Sequence, residues 1–220
     1  MLAIGKYHLT ILGVIMRVVL RVVFVFTIST SNASAANETG SYIAFDVLQS
    51  SAPGICDPVV LGANYSCSNQ ATGQRIAVGH NLWTHFGIEG AYFDSGDTKA
   101  KITSGINMTD YSIGETAFQL TGIFNLNTSK NISFFAKFGM NRYVLEEIRL
   151  GETNSSRSDT GSSPLWGVGV ELKSDNGLGI RLQYEEHKTK DTYWGFSTSL
   201  RTASVGLVLH PSAMNLHGRY

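Results

Sequence analysis

Charge is scarce in this sequence: of 220 residues only 15% are Asp, Glu, Lys or Arg, where soluble domains carry nearer a quarter. The 17 basic and 17 acidic residues cancel, and no block of like charge stands out as a tail. The broad basic footprint of a nucleic-acid binder is therefore missing, and no nucleic-acid partner is expected. Long apolar runs are scarce as well. After residue 36 nothing approaches the roughly 18 uninterrupted apolar residues that a spanning helix requires, so a membrane protein with this sequence would have to cross by other means. Cysteine is limited to Cys56 and Cys67. The six histidines (His8, His80, His85, His187, His210 and His217) never fall at ligand spacing with a carboxylate or cysteine, so no metal site is expected. Glycines do not cluster ahead of a helix as a phosphate loop would require, and no cofactor is expected either.

What is present begins with an export pattern. Residues 22–28 (VVFVFTI) form a short apolar core behind Arg17 and Arg21 and ahead of a small, polar stretch ending Ala33-Ser34-Ala35. A basic flank, a short apolar region and an A-x-A site are the parts of a secretory signal peptide, which predicts residues 1–35 as the signal and cleavage after Ala35. The segment before Met16 adds nothing a signal needs, so translation is expected to start there. Export puts Cys56 and Cys67 in an oxidising compartment, where two cysteines eleven positions apart without a neighbouring histidine are expected to form a structural disulfide.

From residue 41 onward the apolar pattern has period two and recurs in segments of about ten residues. Eight such segments are expected: 41–50, 74–83, 85–94, 115–126, 132–144, 164–173, 178–188 and 201–210. Their connections alternate between long (51–73, 95–114, 145–163, 189–200) and short (Thr84, 127–131, 174–177). An even-stranded outer-membrane barrel places long loops at one end and tight turns at the other, whereas a soluble sandwich has no reason to. The reading is all-β: an eight-stranded antiparallel transmembrane β-barrel, an up-and-down meander over residues 36–210, with 211–220 as a C-terminal tail. Both ends of the barrel are expected in the periplasm and four loops outside.

Alternation sorts the strands into two faces. One is apolar and free of charge, with residues such as Phe45, Val47, Ile76, Ile88, Phe118, Leu120, Phe138, Trp166, Leu182 and Leu207. The other mixes Ala44, Asp46, Ala77, Glu89, Gln119, Lys137, Asn141, Glu171, Arg181, Gln183 and Glu185 with Gly79, Gly87, Gly139, Gly167, Gly169, Gly179 and Gly206. Glycine on an exposed strand is costly, but it suits the cramped lumen of an eight-stranded barrel, so the apolar face is expected to point outward to lipid. Tyr42, Trp83, Tyr92, Tyr111, Tyr143, Trp166, Tyr184 and Trp194, near segment ends, are expected in two interfacial girdles.

The run from Gly79 to Tyr92 (GHNLWTHFGIEGAY) resembles, without a gap, a strand-turn-strand unit of the OmpA-like transmembrane barrel family. Ile132 to Tyr143 is similar to that family's fifth strand, Trp166 to Glu186 to its sixth-to-seventh hairpin, and Ala203 to Leu209 to its eighth strand. His80 departs from the family's usual tyrosine, and Pro211 ends the last strand where such barrels usually close on an aromatic residue. The resemblance covers residues 40–210 and does not extend to the family's separate peptidoglycan-binding domain. It implies that the lumenal charges Glu89, Lys137, Glu171 and Arg181 pair across the interior and plug it.

Function follows as an expectation: a Gram-negative outer-membrane barrel with a structural or surface-interaction role, in envelope integrity, adhesion or a narrow pore, through its external loops. Expected partners are outer-membrane lipid and lipopolysaccharide, the outer-membrane assembly machinery, and a host or surface ligand at the loops; a monomer is expected. The alternative is a small barrel enzyme acting on lipid A or phospholipid, with His85, His187 and His210 as candidates. No His-x-Ser pair occurs on a strand, so each is expected at a rim or interface and no catalytic residue is assigned. A soluble lipid-binding barrel would open on Gly-x-Trp, and Gly40-Ser41-Tyr42 lacks the tryptophan.

Overall fold

The computed structural model describes residues 40–52, 56, 65–104, 107–127, 129, 131–150, 155–190 and 197–211. The expected signal peptide, Trp194 and most of the C-terminal tail lie outside them. Nine strands follow in order: β1 (Ser41–Ser51), β2 (Tyr65–Ser68), β3 (Gln70–Trp83), β4 (Phe86–Ser104), β5 (Asn107–Asn127), β6 (Ile132–Leu150), β7 (Ser155–Lys173), β8 (Leu178–Lys190) and β9 (Ser197–Leu209). All pairing is antiparallel between sequence neighbours apart from β2, and β1 closes on β9 from Ile43↔Leu209 to Ser51↔Arg201. Eight strands form the closed ring; β2 pairs only with the far part of β4, from Tyr65↔Ile102 to Ser68↔Lys99.

Parity decides what each face meets. Phe118 (59% exposed), Leu120 (68%), Phe138 (68%) and Leu207 (61%) project outward, while Ala44, Ala77 and Val208 are fully covered inside. Adjacent residues of one strand, Leu207 and Val208, thus occupy opposite surroundings. A face this apolar and this exposed is stable only against hydrocarbon. Trp83 and Phe86 sit together at the tight-turn end of the belt, and Trp166 and Tyr184 at the other, with ring centroids 5.8 and 5.9 Å apart.

Two expectations about the strands need correction. Tyr42 and Tyr143 are not girdle residues: both are 3% exposed and point into the lumen, because Tyr42 shares its parity with Ala44 and Asp46, and Tyr143 shares its parity with Lys137, Gly139 and Asn141. The second correction concerns length. Strands β4 to β7 run for 19, 21, 19 and 19 residues, whereas crossing the bilayer takes about 9–11, so the expected loops 95–114 and 145–163 are mostly strand. These extensions rise from the end opposite the tight turns at Thr84–His85 and 174–177.

Local chemistry places the irregularities. Pairing of β3 with β4 stops at Gln74↔Asp94, and β4 bulges between Asp94 and Asp97 at Gly96, whose φ of 71° favours glycine. The Gly96 N–H donates to Asp94 Oδ1 at 2.9 Å. Above that bulge β4 would be an unpaired edge, and β2 covers it. The Cys56–Cys67 disulfide (Cα–Cα 5.8 Å) ties β2 to the chain leaving β1. At the other end Gly177 (φ 81°) closes the β7–β8 turn, with Ser174 N donating to Leu178 O at 2.7 Å.

Leu182→Arg, in the middle of the outward face of β8, is expected to destabilise the barrel in lipid by about 2–4 kcal/mol, the depth-dependent cost of a charge facing hydrocarbon. Denaturant titration in phospholipid vesicles measures it. A loss within about 0.5 kcal/mol, as at a water-facing site, would show that this face does not meet lipid.

Candidate functional site

The lumen is filled by side chains, and its centre is ionic. Glu89 (β4) is the hub: its Oε2 accepts from Arg181 Nη1 at 2.7 Å and from the Tyr42 hydroxyl at 2.8 Å, and its Oε1 accepts from Arg75 Nη1 and Lys137 Nζ, each at 3.3 Å. Arg75 (β3) also donates to Asp46 Oδ2 (2.8 Å) and Glu185 Oε1 (2.7 Å). Arg181 (β8) pairs with Glu171 of β7 at 2.8 Å, and Lys137 (β6) pairs with Glu185 and donates to Gln183 Oε1 at 3.3 Å. His210 completes the cluster toward the end with the tight turns, its Nε2 lying 2.6 Å from Glu171 Oε1.

The structure brings Glu89, Lys137, Glu171 and Arg181 into one network, but the network is larger than the expected balanced set of four. Arg75, Asp46 and Glu185 belong to it, giving three cations against four carboxylates. The signal was present in the sequence: Arg75 has the parity of Ala77 and Gly79, and Asp46 and Glu185 were already on the inward face. All seven are at most 4% exposed. Burying so many charges is tolerable because each is held by at least one opposite charge; an unpaired one would cost several kcal/mol.

Rings and glycines make room for this density. The Arg181 guanidinium lies over the Tyr42 ring at 4.7 Å and over Phe135 at 5.0 Å, close enough for cation–π attraction. Tyr42 fits because Gly79 has no side chain, and Phe135 because Gly169 has none; a Cβ at either glycine would overlap the ring. Apolar packing extends on both sides, with Ala44, Ile123 and Val208 in one buried cluster and Leu48, Phe93, Tyr143 and Leu200 in another. Large apolar residues inside the lumen were not foreseen, since alternation alone assigns parity and not size.

The histidines divide. His187 is not at a rim: it is buried in the lumen with Nε2 2.7 Å from Glu115 Oε1 and its ring edge-on to Phe93. Thr189 Oγ1 donates to the other oxygen of Glu115 at 2.6 Å. The carboxylate therefore stands between hydroxyl and imidazole, so the imidazole is not placed to take the hydroxyl proton. His85 is at the β3–β4 turn with Nδ1 3.0 Å from Asn125 O. Among the described residues no group of three or more His, Cys, Asp or Glu is arranged to hold a metal ion.

A closed antiparallel ring of this kind has counterparts among known proteins. The family model for the outer membrane protein beta-barrel domain matches residues 21–210. The chain belongs to this family. Members are barrels of the Gram-negative outer membrane, and that is where this one resides. Among solved structures, Ail, the attachment invasion locus protein of Yersinia pestis, is similar at 15% identity over 78% of this chain and 98% of that chain, with a TM-score of 0.52. Neisserial surface protein A is similar at 14% identity over 80% and 99%, with a TM-score of 0.50. Identities this low carry the fold alone. No curated protein matches the sequence.

Removing one member of the lumenal network should uncouple the rest. Arg181→Ala is expected to leave Glu89 and Glu171 short of a cation, destabilise the barrel by about 3 kcal/mol, and turn a small or intermittent conductance into a larger and steadier one. Planar-bilayer recording checks this. A large, steady current in the wild type, unchanged by the substitution, would mean that the lumen is an open channel.

Proposed function

We propose that this chain is a non-enzymatic outer-membrane component whose function is carried on its external side: the sealed barrel anchors it, and the raised strands and loops meet a host or surface ligand and brace the envelope. The observation that carries this reading is the asymmetry of the strands. At one end the connections are tight turns, while at the other β4 to β7 continue paired to Ser104↔Asn107 and Arg149↔Ser155, far beyond what the bilayer requires. A lumen packed with paired charges and rings supports an anchor over a conduit. The enzyme alternative gains nothing from the order hydroxyl–carboxylate–imidazole at Thr189, Glu115 and His187. Ail carries attachment in its name, but the role proposed for this chain rests on its own asymmetry.

Surface proteolysis of intact cells is expected to cut in the connection 151–154 between β6 and β7 and to spare the 174–177 turn; the reverse would invert the orientation. The role itself is tested by shortening the two raised hairpins at the pairs Lys99↔Ser112 and Glu147↔Arg157, away from the lumenal network. The shortened barrel should still insert, while adhesion of expressing cells to host-cell layers, or resistance of the envelope to detergent, falls toward that of cells without the protein. Equal adhesion and equal detergent resistance in all three strains would overturn the reading, as would hydrolysis of lipid A or phospholipid by the purified protein.

A further inference from the structure

The outward face of β8 changes character along its length. Ile180 and Leu182 face lipid, Tyr184 packs with Trp166 in the girdle, and Glu186, Lys188 and Lys190 follow at the same parity. On β9 the outward residue level with Glu186 is Arg201, and those level with Lys188 and Lys190 are Ser199 and Ser197. Lys188, Lys190 and Arg201 are exposed, and register makes them neighbours on one patch of two strands. Arg201 Nε lies 3.7 Å from Glu186 Oε2, which also accepts from the Tyr184 hydroxyl at 3.3 Å. One carboxylate therefore faces three cations.

Height matters as much as charge. Strand residues rise about 3.3 Å each, and at a tilt near 40° Lys188 stands about 10 Å above Tyr184. Flexible lysine stems bend back toward the interface, which brings their ammonium groups to the headgroup layer that borders the hydrocarbon. Other outward cations above the girdle stand beside carboxylates or apart: on β4 Lys99 has the parity of Asp97, and Lys101 pairs with Asp110. Comparable outward positions on β3 are Gln70, Thr72 and Gln74, and on β5 Gly114 and Thr116; Arg142, the one outward cation of β6 near this height, stands across β7.

We propose that Lys188, Lys190 and Arg201, with the Ser197 and Ser199 hydroxyls between them, form a docking site for the phosphate groups of lipid A in the outer leaflet. Cations of surplus charge beside hydroxyl donors, just above an aromatic girdle, are what a phosphorylated, acylated glycolipid requires: the acyl chains lie along Leu182 and Val205, and the phosphates reach the ammonium and guanidinium groups. The site depends on the raised strands pointing outward, as in the function proposed above, but binding by purified protein does not depend on orientation, so the two fail separately.

The test is native mass spectrometry of the purified full chain in zwitterionic detergent with bisphosphorylated lipid A, the same lipid dephosphorylated, and phosphatidylglycerol. The wild type is expected to bind bisphosphorylated lipid A at least tenfold more tightly than either of the other two. Combined Lys188→Gln, Lys190→Gln and Arg201→Gln should abolish that preference, while Lys101→Gln, which removes one charge higher on β4 beside Asp110 as each single patch variant does, should keep it. Heat-modifiable migration on gels verifies folding; if the combined variant fails it, Lys188→Gln and Lys190→Gln singly should each weaken binding about threefold. Absence of a phosphate preference, equal binding of phosphatidylglycerol, or unchanged binding by folded variants would overturn the site.

Discussion

In hydrocarbon an unpaired backbone N–H or C=O costs several kcal/mol, and that single constraint shapes the whole molecule. A sheet in lipid can have no edge, so β1 must meet β9 and the ring must close. Closure with eight strands leaves a lumen no wider than its side chains, and closure also forces every second residue into it. Once water is excluded from that space, the charges it holds must neutralise one another. The edge problem returns above the membrane, where β4 outruns β3, and there β2, tied back by the Cys56–Cys67 disulfide, supplies the missing partner.

Glu89 shows how tightly the interior is coupled. One carboxylate receives Arg75, Lys137, Arg181 and the Tyr42 hydroxyl, from strands that lie on several sides of the ring. Tyr42 can reach it only across Gly79, and Arg181 is held flat by the rings of Tyr42 and Phe135. Packing and ion pairing are therefore one system, in which a glycine on β3 is as necessary to the salt bridges as a carboxylate on β4. Such a filled core leaves the outward face above the girdle and the raised strands as the surfaces available for partners.

The barrel was legible in the sequence because lipid and lumen impose opposite demands on alternate residues. Phe118 and Gln119, or Leu182 and Gln183, follow the rule at once. Above the membrane both faces of β4 to β7 meet water, the contrast vanishes, and segments such as Ser155–Ser163 read as loop although they pair residue by residue with β6. Tyr42 lies near a strand end, as girdle residues do, but its parity turns it inward beside Ala44. The lumenal cluster is partly legible for the same reason: parity turns Arg75 inward with Glu89, Lys137, Glu171 and Arg181, but which charge meets which depends on registers such as Asp46↔Arg75 across β1 and β3, which no local pattern contains.

The central claim is that the apolar face meets lipid and the lumen is sealed to both lipid and water. Methyl NMR of the protein in lipid nanodiscs tests it at two adjacent residues, Leu207 and Val208, with a doxyl-labelled lipid and a water-soluble gadolinium chelate as relaxation probes. The doxyl lipid should broaden the Leu207 methyls and leave Val208 sharp, and the chelate should leave both sharp. Broadening of Val208 by the lipid probe would mean that the faces are reversed, and broadening of Val208 by the chelate would mean that the lumen is open.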